Sequence, residues 1–238
     1  MIQIRDIWKS FGGAGVHCGL SLDIPEHQTL VIVGKSGGGK SVLLKEIIGL
    51  TAPDSGSIRV DGDEVTTMSY RRLRALRRKF GFLFQGAALF DSMTVGENVA
   101  LPLQYAPGVR KHEIPRRVTE ALHTVGLENA EELMPSSLSG GMRKRVGLAR
   151  AIVQTPPYVL YDEPTTGLDM ETADGINLLI NKLRDELGVT SVVVTHDLRS
   201  AFVVGNRFAV LDNGKFIATG TAEEIRATQD EDVRKYID

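Results

Sequence analysis

One octapeptide reads Gly34-Lys35-Ser36-Gly37-Gly38-Gly39-Lys40-Ser41 and fits the pattern G-x-x-x-x-G-K-[ST]. It follows the apolar run Thr29–Val33 and precedes apolar residues at helical spacing, so a strand, a glycine-rich loop and a helix are predicted in that order. Glycines let the backbone turn and point N–H groups at phosphate oxygens, and the start of the helix adds partial positive charge. Lys40 supplies a full charge for the β- and γ-phosphates, and the Ser41 hydroxyl is a candidate magnesium ligand. The sequence therefore predicts a site for a nucleoside triphosphate.

A second apolar run ends in two acidic residues, in the stretch Tyr158-Val159-Leu160-Tyr161-Asp162-Glu163. Functional groups gather outside the carboxyl ends of the strands in such sheets, so we expect this pair to face the phosphate loop. Asp162 is placed to hold magnesium, and Glu163 is a candidate general base for the attacking water. A strand that ends in solvated acidic residues is the structural alternative. The phosphate loop elsewhere in the chain favours the catalytic interpretation.

The remaining patterns predict an α/β fold. Unbroken runs of branched residues, also found at Thr190–Thr195, are typical of parallel strands covered on both faces, and helical patterns such as Asp174–Leu187 lie between them. The Asp61-Gly62 pair between two short apolar segments indicates a hairpin, and hence an antiparallel β portion near the N-terminus. We predict one domain over residues 1–238, with a mostly parallel core sheet, a helical subdomain over about 86–154 and a C-terminal tail over about 228–238.

Composition excludes several classes of protein. The 238 residues include 28 Lys and Arg against 30 Asp and Glu, and this net charge of -2 argues against a dedicated duplex-binding protein. The sequence lacks the run of about 20 apolar residues that a membrane-spanning helix needs, and its N-terminus shows no secretion signal. Cys18 is the single cysteine, so an internal disulfide is excluded. These features predict a cytoplasmic location.

A third motif, Leu138-Ser139-Gly140-Gly141-Met142, precedes the carboxylate strand. Ser139 can cap a helix, and the two glycines expose N–H groups to an anion. With these motifs in this order, the chain resembles the ATPase subunit of an ABC transporter over essentially its whole length, and the pentapeptide resembles the family's signature. The resemblance implies a phosphate-loop nucleotide-binding domain that uses ATP and Mg²⁺. It also implies a head-to-tail homodimer in the ATP-bound state, in which one subunit's signature closes over the γ-phosphate held by the other.

The same resemblance assigns four further residues. Gln85 matches the glutamine that contacts magnesium and water and senses the membrane subunit, and His196 matches the histidine that contacts the γ-phosphate. Asp169, in Gly167-Leu168-Asp169, matches the loop through which the two sites communicate. Phe11 occupies the position of the aromatic residue that stacks on adenine. The structural alternatives are a packing role for the histidine and a core role for the phenylalanine.

Two segments depart from the family pattern. Met142 replaces the more usual Gln at the end of the signature, and because the anion contacts come from Ser139 and the glycines we expect ATP binding to survive. Glu26-His27-Gln28 replaces the common Gly-Glu turn before the first core strand. This second departure affects only the shape of that turn.

The class of transporter is indicated by the stretches Gly86–Leu103 and Ser41–Lys45 and by the methionine that ends the signature, all of which resemble the ATPases of Mla/MCE systems. That family moves phospholipids and related hydrophobic molecules between bacterial membranes. The resemblance implies a separate MCE-type permease, an MCE substrate-binding protein and a small STAS-domain candidate partner, with the chain held peripherally at the cytoplasmic face of the inner membrane. The apolar Ala88-Leu89-Phe90 and Met93 are candidates for the permease contact, or else local core.

Alternatives remain open at this level. The chain could serve another class of ABC transporter, in lipoprotein release or small-solute import, or it could be a soluble ABC ATPase that acts on nucleic acid. The basic run Arg71–Lys79 is the feature that would suit the last alternative. However, Leu73, Leu76 and Phe80 fall on one predicted helical face, so the arginines read as its solvated side or as a contact for lipid headgroups or a partner. No nucleic-acid partner is expected.

Overall fold

The computed structural model describes residues 1–237, and its strands form two sheets. The ten strands are β1 (Ile2–Phe11), β2 (Ala14–Ile24), β3 (Thr29–Gly34), β4 (Ser55–Val60), β5 (Asp63–Glu64), β6 (Phe80–Leu83), β7 (Tyr158–Asp162), β8 (Thr190–Thr195), β9 (Arg207–Asp212) and β10 (Lys215–Thr221). One sheet has the order β2-β1-β4-β5 with antiparallel pairing, and the other has the order β10-β9-β3-β8-β7-β6.

The larger sheet is parallel from β9 to β6, and only β10 pairs antiparallel, with β9. The predicted α/β class with an N-terminal antiparallel portion is therefore confirmed. The hairpin is confirmed as well, since Val60 pairs with Asp63 across the Asp61-Gly62 turn. Both turn residues have positive φ, 53° and 84°, as a two-residue turn that matches the strand twist requires.

The described residues also form nine α-helices: α1 (Lys40–Ile47), α2 (Tyr70–Arg77), α3 (Val95–Gln104), α4 (Ile114–Thr124), α5 (Gly140–Ile152), α6 (Met170–Leu187), α7 (Leu198–Val204), α8 (Ala222–Arg226) and α9 (Glu231–Arg234). Two short 3-10 turns lie at Lys111–Glu113 and Pro135–Ser137. Helices α3, α4 and α5 fall within residues 86–154. None of the helices within residues 1–237 is both long and apolar enough to cross a membrane.

One predicted helical face is wrong. Helix α2 buries Leu76 and partly buries Leu73, but it ends at Arg77, and Phe80 begins β6 instead of continuing the helix. The Arg77 guanidinium donates to the carbonyls of Ile48 and Gly49, which fixes the end of α2 against the end of α1. Pairing of β6 with β7 then takes the backbone of Phe80 into the sheet.

The larger sheet has a hydrophobic core on each face, because successive residues of a strand point in opposite directions. Along β3, Leu30 and Ile32 pack into the core that also contains α1 and the antiparallel sheet. Val31 and Val33 pack into the opposite core, which contains α5 and α6. Burial on both faces explains why these strands read as unbroken apolar runs.

Parallel pairing places the carboxyl ends of β3, β6, β7 and β8 at one edge of the sheet. The register aligns Val33 with Thr195, and Asp162 with Val194. The phosphate loop, the segment after β6, the paired carboxylates and the residue after Thr195 therefore emerge side by side.

The C-terminal segment folds back onto this edge. The Tyr236 hydroxyl donates to Asp212 at 2.5 Å, and the Lys35 ammonium lies 5.6 Å from the centre of the tyrosine ring. The pKa of Tyr236 is raised to about 12. Partial burial is the larger cause, and the hydrogen bond to Asp212 is the next. The described part of the predicted tail thus packs on its own chain, and Asp238 lies outside the described residues.

Candidate functional site

The phosphate loop connects β3 to α1. Gly37 and Gly39 have φ of 78° and 96°, a left-handed backbone that favours glycine. Gly39 lies just before α1, whose first turn contains no acidic side chain to compensate the partial positive charge of the helix start. The loop therefore presents a helix N-terminus that suits an anion.

Lys40 points back over this loop. Its ammonium donates to the carbonyls of Gly34 at 2.8 Å and Lys35 at 2.9 Å, and it lies 3.9 Å from Oε1 of Glu163. Burial lowers the pKa of Lys40, while the charges of Glu163 and Asp162 oppose that change. A phosphate would add a second anionic partner to a cation that is only 5% exposed.

Ser41 and Asp162 meet although they are 121 residues apart. The Ser41 hydroxyl donates to Oδ1 of Asp162 at 2.6 Å, and the carboxylate is buried. Hydroxyl and carboxylate oxygens are the donors that Mg²⁺ prefers, so the chemistry of this pair fits that cation.

Glu163 is buried, and it has a left-handed backbone with φ of 49°. Its Oε2 accepts from the Thr166 hydroxyl at 3.1 Å, and Nδ1 of His196 lies 2.9 Å from the same oxygen. His196 itself is more than half exposed, with a side-chain exposure of 57%. The second carboxylate oxygen, Oε1, has the Lys40 ammonium at 3.9 Å. The arrangement orients the carboxylate through one oxygen and leaves the other toward the phosphate loop.

An open cavity of about 270 Å³ joins these elements. It is lined by Val16, Ser36, Gly37, Gly39, Lys40, Ser41, Val42, Gln85, Glu163 and His196. The structure thus brings together most of the phosphate loop, the three predicted catalytic side chains and two of the three predicted magnesium ligands, Ser41 and Gln85. Asp162 reaches this group through its bond to Ser41.

The signature residues lie apart from this cavity. Ser139 caps α5, its hydroxyl accepting from the Met142 N–H at 3.2 Å, as predicted from the sequence. A Cβ on Gly140 would lie 3.4 Å from Leu168, and one on Gly141 would lie 2.3 Å from Thr172. The signature therefore packs against the segment that contains Asp169. Asp169 caps α6 and accepts from the N–H of Thr172 at 3.0 Å.

Phe11 ends β1 and is 51% exposed, so it is not a core residue. The Lys9 ammonium lies 5.1 Å from the centre of its ring and also donates to Asp54 at 2.8 Å. One face of the ring is therefore covered by a cation that is itself fixed. Phe11 does not line the phosphate cavity.

Three residues near the site were not identified from the sequence. Lys144 in α5 is buried and donates to the backbone carbonyls of Gln85 and Glu163. His17 and Glu46 lie behind the loop with fully buried side chains, and His17 Nε2 lies 3.1 Å from the Gly39 carbonyl. No local pattern marks these residues, because each depends on partners distant in sequence.

Comparisons with known proteins identify the family. The profile of a family described as "ABC transporter" matches residues 18–166. The chain is 41% identical over 223 residues to the methionine import ATP-binding protein MetN 1 of Acinetobacter baylyi, covering 92% of this chain and 62% of that protein. It is 38% identical over 238 residues to the intermembrane phospholipid transport system ATP-binding protein MlaF of Escherichia coli K12, covering 100% of this chain and 88% of that protein.

Solved structures show the same likeness. A dimeric structure of a post-hydrolysis state of the ATP-binding cassette MJ0796, bound to ADP and Pi, superposes with a TM-score of 0.85 at 34% identity, covering 93% of this chain and 98% of that one. The structure of cbiO1 from Clostridium perfringens, part of the complex cbiONQ, superposes with a TM-score of 0.87 at 29% identity, covering 98% of this chain and 93% of that one.

Proposed function

The chain belongs to the ABC transporter family and is an ATP-binding ATPase of that family, and from this membership we propose that it drives phospholipids or related hydrophobic molecules through an MCE-type permease. The observation that carries the choice of cargo is the 38% identity to MlaF, which covers 88% of that relative, against 62% of MetN 1. A small-solute importer is the second candidate, because identity to the methionine importer MetN 1 is 41%.

In the proposed site, the phosphate loop holds the β- and γ-phosphates of ATP. The loop N–H groups and the start of α1 bind phosphate oxygens, and Lys40 adds a full positive charge from a buried position. Phe11 stacks on the adenine through the ring face that Lys9 leaves open. Stacking on adenine requires only the exposed face of the Phe11 ring.

Ser41 and Asp162 would hold Mg²⁺, with Gln85 as a further oxygen ligand from the cavity wall. Bound there, the ion would neutralise charge on the phosphate oxygens. The hydrogen bond between Ser41 and Asp162 keeps these two oxygen donors together at the mouth of the loop.

Glu163 is the general base in this proposal. His196 and Thr166 hold Oε2, so Oε1 is the oxygen that accepts a proton from the attacking water. The water oxygen bonds to the γ-phosphorus, the bond from phosphorus to the bridging oxygen breaks, and ADP and phosphate are formed. His196 has an exposed ring at the cavity wall and contacts the γ-phosphate.

A second copy of the chain completes the site. The signature residues Ser139, Gly140 and Gly141 lie outside the phosphate cavity of their own chain, and the first turn of α5 contains no acidic residue. The helix start is therefore available to the γ-phosphate held by a partner subunit. Asp169, beside the signature, is then placed at the contact between the two copies.

The permease contact is proposed at the apolar segment Ala88-Leu89-Phe90, in which Phe90 is half exposed. Asn98 is fully buried and bonds both the N–H and the carbonyl of Phe90, so the loop after Gln85 is held firmly. Leu89 and Met93 are partly buried, and Leu89 packs against the hydrophobic core. The chain would thereby attach to the cytoplasmic face of the inner membrane through its permease, with an MCE substrate-binding protein and a STAS-domain protein as further partners.

Hydrolysis is tested with Glu163→Gln. The amide cannot accept the proton from water, so we expect turnover to fall by at least about 10² while ATP binding and the ATP-bound dimer persist. Glu186→Gln, at an exposed position of α6, is the matched control and should retain activity. Normal turnover of Glu163→Gln would remove Glu163 as the base.

Cargo and partners are tested on the membrane complex. We expect the tagged chain to purify from its own membranes with a permease and an MCE protein, and phospholipid to stimulate the reconstituted ATPase. Phe90→Ser should release the permease, whereas Leu178→Ser, at an exposed position of α6, should not. Stimulation by methionine but not phospholipid would favour the importer, and salt-sensitive stimulation by nucleic acid without any permease would contradict transport.

A further inference from the structure

Lys144 of α5 places an ammonium group inside the protein. The residue is 5% exposed, and within residues 1–237 its hydrogen bonds go to two backbone carbonyls. One belongs to Gln85, and the other belongs to Glu163 at 3.0 Å. Burying an ammonium costs several kcal/mol unless it is well hydrogen-bonded. A buried lysine that binds two site segments therefore has a specific role in their arrangement.

The electrostatic surroundings of Lys144 agree with a charged group held in place. Burial lowers the pKa of Lys144, and the negative charges of Asp162 and Glu163 oppose that change. Hydrogen bonds from a charged donor are about twice as strong as neutral ones. The two carbonyls are therefore restrained more firmly than ordinary loop carbonyls.

The backbone at Glu163 needs such restraint. Its φ of 49° is a left-handed conformation that is unfavourable for a non-glycine residue and persists only where surrounding contacts fix it. The N–H of Glu163 donates to the Val194 carbonyl at 2.9 Å, and its own carbonyl accepts from Lys144. These two bonds fix both sides of the strained residue, and with it the direction of the carboxylate.

The segment after Gln85 shows the same pattern. Ala87 and Ala88 also have left-handed backbones, with φ of 60° and 47°. Arg150, on the same helix as Lys144, donates to their two carbonyls at 2.6 and 2.8 Å. Helix α5 therefore uses cations to hold both the Gln85 turn and the Glu163 turn.

We infer that Lys144 is a positioning residue for hydrolysis, which fixes the backbones of Gln85 and Glu163 to the helix that begins at the signature. Lys144 does not line the phosphate cavity. Because both carbonyls bond one ammonium, a displacement of α5 when the signature meets a partner's nucleotide moves Gln85 and Glu163 together. The inference rests on the proposed role of Glu163 as the base.

The test compares Lys144→Met with Lys144→Arg and with the control Lys182→Met, an exposed lysine of α6. Methionine keeps the length and removes both hydrogen bonds, so we expect kcat to fall by about 10², the cost of a base misplaced by about 1 Å. The ATP Kd should stay within about twofold, because the phosphate loop is unchanged. Arginine keeps a charged donor and should recover part of the lost kcat.

A double variant separates positioning from general packing. In single-turnover hydrolysis, Lys144→Met should have no further effect in a Glu163→Gln background, since both changes act through one carboxylate. Wild-type kcat in Lys144→Met, an equal loss of ATP affinity, or full additivity would each overturn the inference. If Lys144→Met does not fold, Lys144→Gln decides, because glutamine is a shorter and uncharged donor: kcat equal to wild type with a lowered Tm would mean a purely structural role. Failure of the proposed function is distinct, because Glu163→Gln alone would then remain active.

Discussion

Nδ1 of His196 lies 2.9 Å from Oε2 of Glu163, and these residues follow two neighbouring strands, β8 and β7. The exposed His196 imidazole therefore orients the Glu163 carboxylate, the proposed base, from the solvent side of the cavity. Removing the imidazole in His196→Ala leaves Oε2 with Thr166 as its remaining side-chain partner among the described residues. A hydrogen bond to a charged group is worth about 1.5–3 kcal/mol, so kcat should fall about 10- to 100-fold.

Steady-state kinetics checks this expectation. The ATP Kd should change less than kcat, because the phosphate loop is not altered and binding loses only the contact of His196 with the γ-phosphate. Arg199→Ala is the control, since Arg199 lies three residues further on in an exposed ion pair with Asp174. Equal activity of His196→Ala and wild type would show that the 2.9 Å contact has no part in hydrolysis.

Lys40→Ala should act on binding instead of on the chemical step. The Lys40 ammonium is buried within the phosphate loop. Its loss therefore removes a charged hydrogen-bond donor to the phosphates. We expect the ATP Kd to rise about 10- to 100-fold, from a loss of about 1.5–3 kcal/mol. Equilibrium binding of a fluorescent ATP analogue measures the change, with Lys182→Ala as the control. An unchanged Kd would mean that the phosphates bind elsewhere.

The local parts of the site could be predicted from the sequence, because they depend on residues that follow each other. The phosphate loop needs a strand, glycines and a helix start in succession, and the structure has them in that order. The Asp162-Glu163 pair could be located because an unbroken apolar run ends at it. Parallel pairing then places both segments at one edge of the sheet without further information.

The distant contacts could not be predicted. In the sequence Lys144 is the middle one of three consecutive cations, Arg143-Lys144-Arg145, and only the packing of α5 shows that its partners are 59 and 19 residues away. The turn at His27 is a second case. His27 has a positive φ of 59°, a backbone conformation that favours the glycine usual in the family. The His27 ring lies 2.6 Å from the Gly188 carbonyl. A contact across 161 residues stabilises what the local sequence disfavours.

Ser41→Ala should change the requirement for metal. The hydroxyl bonds Asp162 at 2.6 Å, so its loss removes one oxygen donor and frees the carboxylate to rotate. Loss of groups that orient metal ligands costs about 10- to 100-fold in metal affinity, so half-maximal ATPase activity should need correspondingly more Mg²⁺. A magnesium titration at saturating ATP measures this, and Ser137→Ala, an exposed serine outside the cavity, is the control. An unshifted titration would remove Ser41 as a ligand.

The pair behind the phosphate loop predicts an effect on stability. His17 Nδ1 lies 2.9 Å from Oε2 of Glu46, and both side chains are fully buried. Replacing Glu46 alone with Leu leaves Nδ1 of the buried imidazole without a polar neighbour, and a buried polar group left unpaired costs about 1–3 kcal/mol. Replacing both, in His17→Leu with Glu46→Leu, should cost less than the single change, because apolar side chains of similar volume can substitute for a buried pair.

Urea unfolding of Glu46→Leu, His17→Leu and the double variant decides between pairing and packing. A pair interaction requires the double variant to be more stable than Glu46→Leu, whereas independent packing roles make the two losses add. Nucleotide binding gives a second measurement, since His17 Nε2 lies 3.1 Å from the Gly39 carbonyl and a Cβ on Gly39 would lie 2.8 Å from that nitrogen. Loss of the imidazole removes this support from the loop, so the double variant should regain stability over Glu46→Leu but still bind ATP more weakly than wild type.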